Sequence, residues 1–163
     1  MEIKKAWGSH LPVLMKAISL TDGDVLELGM GLYSTPYLHW ACLNKRKLVS
    51  YDNDPEIFPS QKKEYGEGLH EVLFVDDWSK IDIEKPWDVV LVDHAPVARR
   101  SEEIKRLANF AKLIVIHDSQ ERDDKTYHYS TIYPLFKYKL VFDKAKPPTT
   151  LLSNFIDVSN LEI

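Results

Sequence analysis

The feature that most limits how this chain can fold is an alternation: short, continuously apolar runs of strand length, each followed by a stretch with helical spacing. Strands that are apolar at every position are covered on both faces, and strands joined through helices run parallel because each helix carries the chain back across the sheet. The strand candidates are Asp24–Leu28, Lys47–Tyr51, Glu71–Val75, Trp87–Val92, Lys112–Ile116, Tyr138–Phe142 and Leu151–Ile156. The helical candidates are Leu11–Leu20, Thr35–Leu43, Glu56–Tyr65, Arg100–Phe110 and Lys125–Leu135. Only the polar stretch Asp143–Thr150, with Pro147-Pro148, separates the last two strands, which predicts an antiparallel hairpin. The expected architecture is a three-layer α/β sandwich with a seven-stranded, mostly parallel sheet and a C-terminal antiparallel hairpin, built by residues 1–163 as one domain.

Composition narrows the function classes. A net charge of -4 and a pI near 5.9 offer no general attraction to phosphate backbones, so nucleic acid is a disfavoured partner. The basic runs Lys45-Arg46-Lys47 and Arg99-Arg100 are short enough to be read as solvated faces. Cys42 is the lone cysteine, without a partner for a disulfide or a thiolate zinc site, and reads as a small buried hydrophobe. No stretch approaches the roughly 18 to 20 apolar residues that span a bilayer, and Met1-Glu2-Ile3-Lys4-Lys5 is not followed by a signal core, so a cytoplasmic protein without a membrane partner is expected. Nothing in the sequence sets the oligomeric state.

Two glycines interrupt the first strand-to-helix passage, Val25-Leu26-Glu27-Leu28-Gly29-Met30-Gly31-Leu32-Tyr33-Ser34-Thr35. Glycine lets the backbone turn sharply there and approach a ligand closely, and the N–H groups at the start of the next helix suit a carboxylate. Either Ser34 or Thr35 is a candidate cap for that helix. Asp52 ends the second strand, where a carboxylate can accept hydrogen bonds from both hydroxyls of a ribose.

With these residues in view the chain resembles the class I S-adenosylmethionine (SAM)-dependent methyltransferases of Rossmann-like fold, whose first motif, acidic-x-Gly-x-Gly, is matched by Glu27, Gly29 and Gly31. The resemblance covers nearly the whole chain. It implies that Glu27 and the glycine loop, including Tyr33 and Ser34, hold the methionine part of SAM, that Asp52 binds its ribose, and that Asp77 and Trp78 meet its adenine. Tyr33 stands where a third glycine is common in the family. The alternatives are a NAD-dependent Rossmann oxidoreductase, whose Gly-x-Gly-x-x-Gly pattern would want glycine or alanine at Ser34, and a non-catalytic SAM- or nucleotide-binding module.

The fourth and fifth strands deliver Asp93-His94-Ala95-Pro96 and His117-Asp118-Ser119 to the carboxyl edge of the sheet, where open α/β folds bind ligands. Asp93 is expected to face the transferable methyl. These segments are similar to those of catechol-type and sugar O-methyltransferases, and that resemblance implies a divalent metal such as Mg²⁺ on Asp93 and Asp118, holding the hydroxyl of a small-molecule or sugar acceptor. Ser119 stands where the catechol enzymes carry an asparagine ligand. Without a metal, His94 or His117 is the candidate base, and the residues alone do not choose between them. The Asp/Asn-Pro-Pro-Tyr/Phe signature of nucleobase N-methylation is not matched by Asp93-His94-Ala95-Pro96. Trp7, Tyr33, Tyr37, Tyr127 and Tyr129 are candidate walls of an acceptor pocket, and Arg99 and Arg100 candidate partners for an anionic acceptor.

Overall fold

The computed structural model describes residues 5–163, so the Met1–Lys4 part of the leader reading lies outside the described residues. Seven strands form one sheet: β1 (Val25–Leu28), β2 (Leu48–Asp52), β3 (His70–Phe74), β4 (Trp87–Val92), β5 (Ala111–Ile116), β6 (Tyr138–Phe142) and β7 (Thr149–Ser153). Their order is β3-β2-β1-β4-β5-β7-β6. The first five are parallel, while β7 runs antiparallel to both β5 and β6, as the proline-containing turn between the last two strands predicts. Five helices accompany them: α1 (Leu11–Ser19), α2 (Ser34–Cys42), α3 (Phe58–Tyr65), α4 (Arg100–Leu107) and α5 (Asp124–Tyr127).

Period-two alternation sorts each central strand between two cores. Val25, Val89, Leu91, Leu113 and Val115 face one side, where Val13, Leu14 and Ala17 of α1 and Leu38 and Cys42 of α2 close over them. Leu26, Leu28, Val90, Val92, Ile114 and Ile116 face the other, covered by Ile104 and Leu107 of α4 and by Trp78, Tyr129 and Ile132. Each buried aliphatic side chain contributes roughly 1.5–3 kcal/mol, so the double-sided sheet is the main source of stability. α3 buries no residue and leans on the edge strand β3.

Two sequence expectations change. The helix expected over Lys125–Leu135 breaks into α5 and two 3₁₀ turns, Tyr129–Thr131 and Tyr133–Leu135, because His128 sits in the left-handed region at φ 57° and Pro134 cannot continue a helix. The basic runs are not wholly solvated: Arg46 is buried and donates to the Thr21 carbonyl at 2.9 Å, and Arg100 is buried as well. No helix among the described residues is long and apolar enough to cross a membrane.

Candidate functional site

Gly29 follows β1 at φ +92°, and a Cβ there would lie 2.6 Å from the backbone of His94, so both the left-handed conformation and the close strand contact demand glycine. The turn is held from below. Asp52 accepts the Met30 N–H at 2.8 Å and the Asp54 N–H at 2.7 Å, one on each carboxylate oxygen, which leaves each oxygen a further lone pair. Thr35 accepts the Gly31 N–H at 2.9 Å and donates to Glu27 at 3.0 Å.

Glu27 itself is fully buried on the α2 side of β1. Its carboxyl also accepts from Ser50 at 2.6 Å; the Ser50 oxygen lies 2.8 Å from His70 Nε2, and His70 Nδ1 lies 3.1 Å from His39 Nδ1. Burial, opposed by the hydroxyl hydrogen bonds, pushes the Glu27 pKa up to about 7. The residue implied to touch the methionine moiety of SAM is therefore a support of the loop and does not line the large cavity.

That cavity, of about 860 Å³, opens at the carboxyl edge of the sheet. Gly31 and Tyr33 of the glycine turn, Trp7, Ile57 of the β2–α3 passage, and Asp93, His117 and Asp118 line it. Its size falls in the ordinary range for small-molecule sites. Six of the residues singled out from the sequence thus meet around one space: Trp7, Gly31, Tyr33, Asp93, His117 and Asp118.

At its floor Asp93 Oδ2 lies 3.1 Å from His117 Nδ1, and His117 Nε2 lies 3.0 Å from the Ser9 hydroxyl. Burial disfavours charge on both Asp93 and His117, yet their mutual contact outweighs it, holding the carboxyl below and the imidazole above their ordinary pKa values. Arg100, at the head of α4, reaches Asp93 Oδ1 at 3.0 Å and Asp118 Oδ2 at 3.4 Å, donates to the His94 carbonyl at 2.7 Å, and lies over the Tyr127 ring.

This corrects two expectations. Arg100 is an internal counter-ion and not a receptor for an anionic acceptor, and Arg99 is paired with Glu103 at 2.6 Å. The Asp93–Asp118 pair does not fit Mg²⁺, because a guanidinium already lies between the two carboxylates. Asp118 occupies the left-handed region at φ 54°, which aims its carboxylate back toward Arg100.

His94 does not line the cavity. Its ring is buried, stacked on Trp78 at 4.0 Å, and faces Glu103 Oε2 at 3.4 Å, away from the cavity. Trp78 is correspondingly consumed in packing, its N–H donating to the Ala95 carbonyl at 2.9 Å. Asp77 caps the following 3₁₀ turn through Ser79 and pairs with Lys80, and neither Asp77 nor Trp78 is among the residues that line the cavity. Ser34 is buried at the start of α2. Of the aromatic candidates, Trp7 and Tyr33 line the cavity, whereas Tyr129 is core and Tyr127 lies under Arg100.

The sequence places Ser9 and His10 just before the first helix but does not single them out as site residues. His10 occupies the N-cap position of α1 yet makes no capping bond, and neither ring nitrogen has a partner among the described residues although the side chain is 2% exposed. A histidine directly before Leu11-Pro12, where a helix start favours Ser, Thr, Asp or Asn, is the signal that was available.

No known family pattern matches the sequence, and no curated protein is similar to it in sequence. Solved structures are similar in fold. The O-methyltransferase TomG of Streptomyces achromogenes, involved in tomaymycin synthesis and in complex with SAM, aligns at TM-score 0.62 and 17% identity over 94% of this chain and 82% of that one. The N-methyltransferase NodS of Bradyrhizobium japonicum, in complex with S-adenosyl-L-homocysteine (SAH), gives 0.58 and 11% over 88% and 83%. The 23S rRNA methyltransferase ErmE gives 0.56 and 16% over 87% and 67%. Strand order, the glycine turn and these likenesses together give the chain the fold of the class I SAM-dependent methyltransferases.

Proposed function

We propose that this protein transfers a methyl group from SAM to a hydroxyl of a small-molecule acceptor. One observation carries the reading: the glycine turn and the Asp93–His117 pair open onto the same cavity, so a cofactor loop and a proton-accepting group share one space. The cofactor-bound neighbours support the identity of the donor, and the O-methyltransferase TomG among them supports oxygen as the acceptor atom.

The residues present fit SAM. Asp52 has a lone pair to spare on each oxygen for the ribose hydroxyls, and the Leu32 and Tyr33 N–H groups at the head of α2 have no partner among the described residues, which suits the methionyl carboxylate. When bound, SAM supplies an electrophilic methyl at its sulfonium. Trp7, Tyr33 and Ile57 at the cavity wall exclude water from the acceptor. The Asp93–His117 pair at the floor takes the hydroxyl proton, onto His117 Nδ1 beside Asp93 Oδ2, as the oxygen attacks. Arg100 stabilises the ionised Asp93 that orients His117.

The test is direct. The isolated protein, given labelled SAM and fractionated small-molecule hydroxyl compounds, is expected to label one fraction, and calorimetry is expected to show SAH binding. SAH binding without any transfer would make it a binding module; NAD binding in place of SAH would make it an oxidoreductase.

A further inference from the structure

The bonds around His117 leave an electrostatic conflict that only a cation resolves. The Ser9 hydroxyl has one hydrogen and donates it to the Pro147 carbonyl at 2.8 Å, an oxygen that can only accept. Its contact with His117 Nε2 at 3.0 Å therefore has the imidazole as donor, which places the proton of a neutral His117 on Nε2. The Nδ1 lone pair then points at Asp93 Oδ2 from 3.1 Å, two acceptors facing each other. A proton on Nδ1 or a metal ion between them removes the repulsion.

A proton would leave His10 unexplained. Both nitrogens of this buried ring lack partners, a costly arrangement in a folded protein. One ligand atom each from His10, Asp93 and His117 lie within 4.8 Å of one another.

We infer that His10, Asp93 Oδ2 and His117 Nδ1 form a binding site for a first-row divalent transition metal ion, open on its cavity side. Two imidazoles and one carboxylate are the donor set of zinc, iron or cobalt, not of magnesium, which prefers oxygen ligands. Ligands about 2.1 Å from an ion stand about 3.0–3.4 Å apart, and the Asp93–His117 separation of 3.1 Å already meets this. His10 completes the set by moving inward at most about 1.8 Å from its present limit of 4.8 Å.

The surroundings agree. Arg100 binds the other Asp93 oxygen at 3.0 Å, fixing the carboxylate, and Ser9 fixes the far nitrogen of His117, the outer-sphere pattern of metal-bound histidines and carboxylates. Asp93, Asp118 and Arg100 sum to one negative charge, so a cation is drawn in. Resting on the methyl-transfer reading, the ion would replace the Asp93–His117 pair as the activating group: an acceptor hydroxyl bound at the open position would lose its proton more readily, to water in the cavity.

Cobalt(II) is the probe, because its d–d absorption reports coordination without any assay of activity. The protein, residues 1–163, stripped with chelator, is titrated with Co²⁺ and then with Zn²⁺. One Co²⁺ per chain, displaced by Zn²⁺ and not by millimolar Mg²⁺, is expected. His10→Ala and His10→Gln, each checked for folding by circular dichroism, should weaken binding at least about tenfold, and Ser9→Ala roughly tenfold or more. Asp118→Asn should retain it.

Absence of stoichiometric uptake overturns the site, as does uptake indifferent to both His10 variants. Loss in Asp118→Asn with retention in the His10 variants also overturns it, since the ion would then sit on the carboxylate pair. SAH binding measured in chelator keeps the two readings separate: metal failure with SAH binding intact refutes this inference alone.

Discussion

Glu27→Gln is a sharp test of the buried network beneath the glycine turn. With Glu27 neutral, its hydroxyl can donate to Ser50, which donates onward to His70, and glutamine reproduces that state because its amide N–H₂ donates to the same Ser50 oxygen. Burial raises the Glu27 pKa from 4.5 to about 7, equivalent to about 3 kcal/mol of extra preference for the protonated form in the folded chain. Because the folded pKa lies above the unfolded one, this stability is fully present below about pH 4.5, declines as pH rises, and is gone above about pH 7. Between pH 5 and pH 8 wild type should lose about 2.5 kcal/mol that Glu27→Gln keeps. The wild-type profile alone will not reveal this. His10 and His70, both lowered to about 4 by burial first and by histidine neighbours second, contribute stability that grows between pH 4 and 6.5 and masks the decline. The measurement is urea unfolding of both proteins at pH 5 and pH 8, compared as a difference. A gap constant within about 0.5 kcal/mol would refute the buried, high-pKa carboxyl.

Other substitutions probe the remaining parts. Gly29→Ala should cost at least about 2 kcal/mol by denaturant midpoint, since the side chain meets both a φ of +92° and the His94 backbone at 2.6 Å. Asp52→Ala should weaken SAH binding in calorimetry by about tenfold or more, because each ribose hydrogen bond to a charged acceptor is worth about 1.5–3 kcal/mol; unchanged affinity would remove Asp52 from the site. Arg100→Met should destabilise by about 3 kcal/mol at pH 7, and by less in acid that protonates Asp93 once its counter-ion is gone; equal loss at pH 7 and in acid would show that packing, not charge, is what Arg100 supplies.

What the sequence disclosed follows from the range of the forces involved. Strands β4 and β6 were legible to the residue, and the others within a few residues, because continuous apolar runs and alternation are local signals. The convergence of Gly31, Asp93, His117 and Asp118 was legible because strand-end residues of a parallel sheet share one edge. The partners were not. That Arg100 would insert between two carboxylates, or that His94 would turn to Trp78 and Glu103, depends on how α4 docks, which no local pattern encodes. Ser9 and His10 lie 108 and 107 residues from His117, so their meeting is purely tertiary. Glu27 misled because an acid next to a glycine turn looks the same from sequence whether it faces a ligand or the underside of the loop.

The reversed hairpin has a consequence for how the molecule is made. β7 is inserted between β5 and β6, and the Pro147 carbonyl just before it holds the Ser9 hydroxyl that fixes His117. During synthesis the parallel strands β1 to β5 can emerge and pair in order, but the floor of the cavity lacks its clamp until the ribosome has released the chain through Ser153. A nascent or C-terminally clipped molecule would thus present a bare β5 edge and a loose His117, unable to hold its ligands while most of its sheet is already built.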